Sequence, residues 1–236
     1  MERCCIPNCG RPPQAREGRG LSKLHCRYHV QWRNRHGSFW KGTYRAAELQ
    51  PYRTAAARYL KDHQADTWIA HALQALDALM VSAGPAERVA DVLRMAPAAK
   101  ARAALARLRA RAVPPLRLLT TYLAVQAAIA EDPVRPGGNP AEYRRIQAAK
   151  AIHRLASGYH VKYANTGYSI DIYPRSSGLA LRRLGAMLEE CCAWAADHHL
   201  AAIVALKVSK EGPRAAASGF EFPKSRRLTP QGAPRG

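Results

Sequence analysis

Four cysteines and two histidines fall within residues 4–29, and this clustering constrains the fold more than any other feature of the 236-residue chain. The segment opens with Cys4-Cys5-Ile6-Pro7-Asn8-Cys9-Gly10 and closes with His25-Cys26-Arg27-Tyr28-His29. Read from Cys4, it gives Cys-x4-Cys, sixteen intervening residues and Cys-x2-His; read from Cys5, the first pair becomes Cys-x3-Cys. Either spacing lets two pairs converge on one tetrahedral zinc ion. Pro7, Asn8 and Gly10 carry the turn chemistry of a tight knuckle. Cys26 and His29, three residues apart, share one face of a helix that begins there. A knuckle facing a helix start is the plan of a treble-clef-like finger. A stretch so short and polar buries too little surface to fold unaided, and coordination contributes on the order of 10 kcal/mol or more in such peptides. The expected ligands of one structural zinc are therefore Cys4, Cys9, Cys26 and His29, with Cys5 as the alternative to Cys4. Four protein ligands leave no open position for chemistry.

Charge supplies the next constraint. Lysine and arginine total 37 against 17 acidic residues, a formal net charge of +20. The excess lies at the two ends: +9 over 1–64 (13 basic, 4 acidic), +3 over 65–135 (9 and 6) and +8 over 136–236 (15 and 7). A positive field of that size draws polyanions, nucleic acid foremost. After the last ligand, Arg27, Arg33, Arg35, Lys41 and Arg45 interleave with Tyr28, Trp32, Phe39, Trp40 and Tyr44. Such basic side chains can grip phosphates, while the aromatics either stack on bases or pack the joint between finger and body. Six cysteines without a secretory leader read as metal ligands or buried thiols rather than a disulfide framework. The N-terminus lacks the apolar core of a signal peptide. The longest charge-free apolar stretch, 118–130, falls short of the ~20 residues that span a bilayer. A soluble, cytoplasmic protein is expected, with no membrane partner.

Beyond the finger, an Ala-, Leu- and Arg-rich chain favours helix, so a mostly α fold with a multi-helix body is expected. Periodicity predicts helices over 46–61 and 65–82, another opened by Pro97 and a further one opened by Pro114-Pro115. The Pro/Gly stretch 132–140 reads as a boundary. The expected organisation is a zinc module over 1–45, a helical domain over 46–132, a helix–hairpin–helix segment over 139–210 and a disordered basic tail over 211–236. The helix predicted over 141–157 carries Arg144, Arg145, Lys150 and Arg154. It leads into two alternating segments joined by Asn165-Thr166-Gly167, a β-hairpin signature. A basic helix running into a hairpin suggests a winged-helix-like reader; the plainer alternative is a hairpin that caps the helical core. The long helix predicted over 178–208 shows a near-heptad stripe of Leu181, Leu184, Leu188, Cys191, Ala195, His198, Ala202 and Leu206, which offers a homo-oligomer seam. Cys191, Cys192, His198 and His199 span too many turns for one ion and read as packing residues.

Residues 4–37 resemble the small zinc module of phage and mobile-element proteins, some of them associated with HNH endonucleases. The resemblance rests on Cys4-x4-Cys9, Gly10-Arg11-Pro12, Gly20, Cys26-x2-His29, Trp32-Arg33 and His36-Gly37. It implies Cys4 rather than Cys5 as first ligand, and departs in a longer loop over 14–23. The remainder is similar only to bacterial proteins with no assigned activity. Asn34 and His36 crowd into one turn beside a ligand, which is not the wide ββα arrangement that HNH chemistry needs. There is no Walker loop, dinucleotide fingerprint, Gly-x-Ser-x-Gly or His-Glu-x-x-His. The expected function is a zinc-stabilised, basic, non-catalytic DNA-binding protein of a phage or mobile element, contacting double-stranded DNA through Arg27, Arg33, Arg35, Lys41, Arg45, Arg144, Arg145, Lys150 and Arg154. A protein-interaction adaptor is the alternative, and an HNH-associated nuclease a third.

Overall fold

A computed structural model describes residues 3–13, 22–156 and 178–214, together with the backbone of 159–162, 165 and 169–172. The fold is mostly helical. In chain order the elements are α1 (Arg27–His36), α2 (Ala46–Asp62), α3 (Thr67–Val81), α4 (Val89–Val92), α5 (Pro97–Ala110), α6 (Pro115–Ala130), α7 (Pro140–His153), β1 (Tyr159–Lys162), β2 (Ser169–Ile172) and α8 (Gly178–Glu211). Local chemistry sets most of the starts. Asp66 caps α3 by accepting from the N–H groups of Trp68 and Ile69, and Asn139 caps α7 through Ala141 and Glu142. Pro97, Pro115 and Pro140 occupy first helical positions, where the missing N–H costs nothing.

The two strands pair antiparallel, Tyr159 opposite Ile172 and Lys162 opposite Ser169. Their side chains and most of their connection lie outside the described residues, and so does the question of whether the pair caps the core. The same holds for the tail expected beyond residue 214.

α8 is the axis of the body and packs against α2, α3, α5, α6 and α7. One core, with Leu60, Leu76, Leu105, Leu123, Ile146 and Leu188 fully buried, includes residues on both sides of the 132–140 stretch. Two details correct the sequence reading. The buried stripe of α8 starts at Leu181, Leu184 and Leu188 but continues through Cys192, Ala195, Ala196, His199 and Ile203. A straight helix has 3.6 residues per turn, so a seven-residue repeat drifts by about 20° per heptad, roughly 60° between Leu181 and Ala202. Cys191 is thus half-buried, while His198 and Ala202 are exposed. The early part of the expected oligomer seam is spent on the chain's own core.

The second correction concerns α7. Tyr143, Ile146, Gln147, Ala148, Ala149, Ala151 and Ile152 are all buried. A helix enclosed on most of its circumference cannot lie in a DNA groove, so the winged-helix reading falls. Gly185 makes this enclosure possible. It sits against the backbone of Arg145, and a Cβ there would collide with the Arg145 carbonyl.

Candidate metal centre and the basic joint beside it

The knuckle is built by backbone. Cys4 N–H donates to Arg11 O at 2.9 Å and Cys9 N–H to Ile6 O at 3.1 Å, with Asn8 in the left-handed region at φ 62°. Cys5 N–H donates to Leu24 O, which ties the knuckle to the segment just ahead of α1. Cys26 then stands at the N-cap of α1 with extended backbone, and its N–H points at Cys4 Sγ, 3.3 Å away. His29 follows one turn later and is 1% exposed.

These elements bring one ligand atom from each of Cys4, Cys9, Cys26 and His29 within 4.8 Å of one another, close enough to bind a metal ion. The shortest separations are Cys4 Sγ to His29 Nδ1 at 3.4 Å, Cys26 Sγ to His29 Nδ1 at 3.4 Å, and Cys9 Sγ to Cys26 Sγ at 3.7 Å. Tetrahedral zinc with bonds of ~2.3 Å to sulfur and ~2.0 Å to nitrogen places its ligands about 3.8 Å (S to S) and about 3.5 Å (S to N) apart. The donor set therefore fits such an ion.

Burial and contacts decide between Cys4 and Cys5. Cys4 is buried in the cluster, whereas Cys5 is exposed and meets His25 Nε2 at 3.3 Å. Burial pushes the Cys9 thiol up to about 11, and the neighbouring sulfurs of Cys26 and Cys4 add to it. Burial also raises Cys4, but the N–H groups of Ile6 and Cys26 more than offset this and leave it below its ordinary value. Thiols gathered this tightly call for a cation to hold them as thiolates.

α1 ends on the body. Gly37 caps it in the left-handed region at φ 80°, and a Cβ there would lie 2.9 Å from Tyr143 Cα. Gln147 donates to His36 O at 2.8 Å, and Tyr143 OH donates to Gly42 O at 3.1 Å. The aromatics that interleave with the basic run are consumed in this joint. His25 stacks on Phe39 with centroids 3.6 Å apart, and Trp32 stacks on His36 at 4.3 Å. Trp40 Nε1 donates to Arg135 O, and Tyr44 OH donates to Asp132 at 2.7 Å.

The nine basic residues singled out by sequence divide sharply. Lys41 is buried, pairs with Asp132 at 2.8 Å and also donates to Val134 O, so it is a structural cation and not a contact for an external partner. Arg33 pairs with Glu142 at 2.8 Å, and Arg145 pairs with Glu189 at 2.5 Å. Arg27, Arg35, Arg45, Arg144 and Arg154 are exposed. Lys150 is half-buried, donating to Thr43 Oγ1 at 2.9 Å and lying 3.3 Å from His36 Nδ1. Burial, then Arg154 and Arg35, hold the Lys150 ammonium down to about 8. Burial followed by Lys150 and Arg35 holds His36 to about 3.

An ion network at the end of α6 went unforeseen. Glu131 accepts from Tyr52 OH at 2.6 Å and pairs with Lys207 at 2.9 Å, while Asp132 pairs with Lys41 and, at 3.4 Å, with Arg214. Arg214 also reaches Glu48 at 3.5 Å. A cavity of about 250 Å³ lies here, lined by Lys41, Tyr44, Glu48, Asp132, Tyr143 and Arg214. The residues come from four separated stretches of chain, so no spacing could have announced them. No family model matches the chain, and neither a curated protein nor a solved structure matches it.

Proposed function

We propose that this chain is a zinc-stabilised, non-catalytic DNA-binding protein, with a treble-clef-like finger whose Cys4, Cys9, Cys26 and His29 hold one structural zinc. The zinc would supply shape: it fixes the knuckle against the start of α1 and so presents Arg27 and Arg35 beside the body. One observation carries the reading. The carboxylates around the finger joint (Glu142, Glu131, Asp132, Glu48) are committed to internal pairs, whereas Arg27, Arg35, Arg45, Arg144 and Arg154 enter no ion pair among the described residues. A surface that keeps its cations and spends its anions inside favours a polyanion. The phage or mobile-element setting rests on the resemblance of residues 4–37 alone.

The test is a salt titration of binding to a short DNA duplex, with zinc measured on the same sample. Affinity is expected to fall steeply with log salt, with about one zinc per chain. Absence of binding at low salt would defeat the reading. A protein-interaction adaptor is the second reading, favoured by the exposed stacked pair Trp68 and Trp194, whose centroids lie 5.6 Å apart. Loss of a stoichiometric protein partner on Trp194→Ala, with DNA binding absent, would favour it instead.

A further inference from the structure

The finger and the body meet along a cleft of about 550 Å³, lined by Val30, Arg33, Asn34 and Phe39 on one side and by Glu142 and Arg182 on the other. Local packing fixes its walls. Asn139 caps α7 and so puts Glu142 in the first turn of that helix. Gly178 opens α8 directly against α1, where a Cβ would collide with the Asn34 carbonyl, and Arg182 follows one turn later.

Within the cleft one carboxylate serves two guanidinium groups. Glu142 Oε2 accepts from Arg33 Nη2 at 2.8 Å, and Glu142 Oε1 pairs with Arg182 Nε. One positive charge is left over. Arg182 Nη2 has a long contact to Asn34 Oδ1, at 3.4 Å. Nη1 of each arginine has no partner among the described residues and is open to solvent, although both side chains are half-buried.

We propose that this cleft seats one backbone phosphodiester of the bound nucleic acid, gripped by the free amino groups of Arg33 and Arg182 while Glu142 holds the two guanidinium groups side by side. This rests on the DNA-binding reading for the identity of the polymer, and adds where the polymer enters and which pair holds it. Charge favours a diester, because the site has one positive charge in excess and a phosphodiester carries one negative charge. Size agrees. The cleft is larger than an inorganic anion needs, and Val30 and Phe39 offer an apolar wall to the attached sugar. Two guanidinium forks suit a phosphate, whose two free oxygens can each accept from a different arginine. Arg182 also stands near the start of α8, where the positive end of the helix dipole favours an anion.

The experiment uses the full chain. Nitrogen-15 labelling of arginine reports the Nε–Hε groups of Arg33 and Arg182, assigned by their loss in Arg33→Lys and Arg182→Lys. Arg33 Nε is closed to solvent without a hydrogen-bond partner, so its proton should exchange slowly enough to be seen. The probes are dithymidine monophosphate, which has a single phosphodiester, thymidine, which has none, and acetate. Both signals are expected to move with dithymidine monophosphate and to stay with thymidine and with acetate. Duplex binding is then compared across the parent, Arg182→Ala and Arg183→Ala, an equal charge loss at the exposed neighbouring position. Arg182→Ala is expected to weaken binding about tenfold, as for loss of a charge-assisted hydrogen bond. It should also lower the slope of log affinity against log salt by roughly 0.9. Arg183→Ala should do less than half of either. Arg33 still pairs with Glu142 in Arg182→Ala, and an unchanged melting temperature excludes misfolding. If that variant melts lower, Arg182→Lys replaces it: the charge is kept and the fork lost, so affinity should fall several-fold at an unchanged slope, and unchanged affinity would overturn the seat. If the parent binds duplex with a steep salt slope and the two alanine variants weaken it equally, the seat is wrong and the DNA-binding reading stands. If the parent fails to bind duplex yet both signals move with dithymidine monophosphate, the seat stands and the DNA-binding reading falls. If acetate moves the signals as far as dithymidine monophosphate does, the cleft takes any anion and the proposal is overturned.

Discussion

Cys4 and Cys5 are neighbours with the same side chain, yet one sulfur lies in the cluster and the other at the surface beside His25. Cys4→Ser is therefore expected to lose tight metal binding, and Cys5→Ser to keep it, as read by metal content or by the thiolate-to-cobalt absorption of the substituted protein. Equal loss in both would mean that the two sulfurs exchange. Lys150 poses a different residue-scale question. Its ammonium is held at about 8, below the ordinary 10.5, by burial and by Arg154 and Arg35. Between those two pH values the unfolded chain binds more protons than the folded one, so folding gains stability as pH rises through that window. Relative to Lys150→Met, the parent should therefore become progressively more stable from pH 8 to 10.5, in melts free of nucleic acid. A flat difference would mean that Lys150 is well solvated. Spacing narrowed the ligand set to Cys9, Cys26, His29 and one of Cys4 or Cys5, but did not show the fate of Lys41. Its position in a basic run looks like that of Arg35, and only the approach of Asp132, far along the chain, turns it inward.

At the scale of elements, the helices were legible because their boundaries carry local chemistry. Asp66, Asn139 and the prolines at 97, 115 and 140 mark starts that need no tertiary context. What surrounds each helix was much less legible. The basic character of α7 suggested an exposed reading helix, but four of its residues are alanines or glutamine that close packing hides as readily as leucine. The face of α8 is legible at Leu181, Leu184, Leu188 and Ala195, while the heptad spacing misses it at Cys191, His198 and Ala202 for the reason of period given above. α4, a single turn at Val89–Val92, is too short for any periodicity to register. The crossing of α7 and α8 depends on Gly185, where a methyl group has no room against Arg145. Gly185→Ala is expected to destabilise the body by about 1 to 3 kcal/mol, measured by urea denaturation, because the helices must separate to admit it. A neutral outcome would mean that α8 can shift along α7 without cost.

Across the whole molecule, two units of unlike stability meet at one joint. The knuckle has only the small cluster of Cys4, Ile6 and Cys26, with Tyr28, Phe39 and Trp40 against it, whereas the body has a continuous core. Metal removal is thus expected to release the knuckle and weaken duplex binding several-fold while the body keeps one cooperative melt. Near-ultraviolet signals of Trp32 and Trp40 should report the first event, and far-ultraviolet helicity should change little, since α1 is the one helix the ligands organise. A single transition lost in full on chelation would show that the body depends on the metal too. The ion network around Arg214 bears on this geometry as well. Along the sequence, positive charge is concentrated at opposite ends, as on a bar with two like poles. Arg214 folds that bar back on itself. Its guanidinium meets Asp132 and Glu48 and lies 5.2 Å from the Tyr44 ring, so residue 214 stands beside the joint where the finger ends. Residue 214 and the basic run that ends the finger are thereby tied into one ion network through Asp132, and whatever disturbs either stretch is felt by the other.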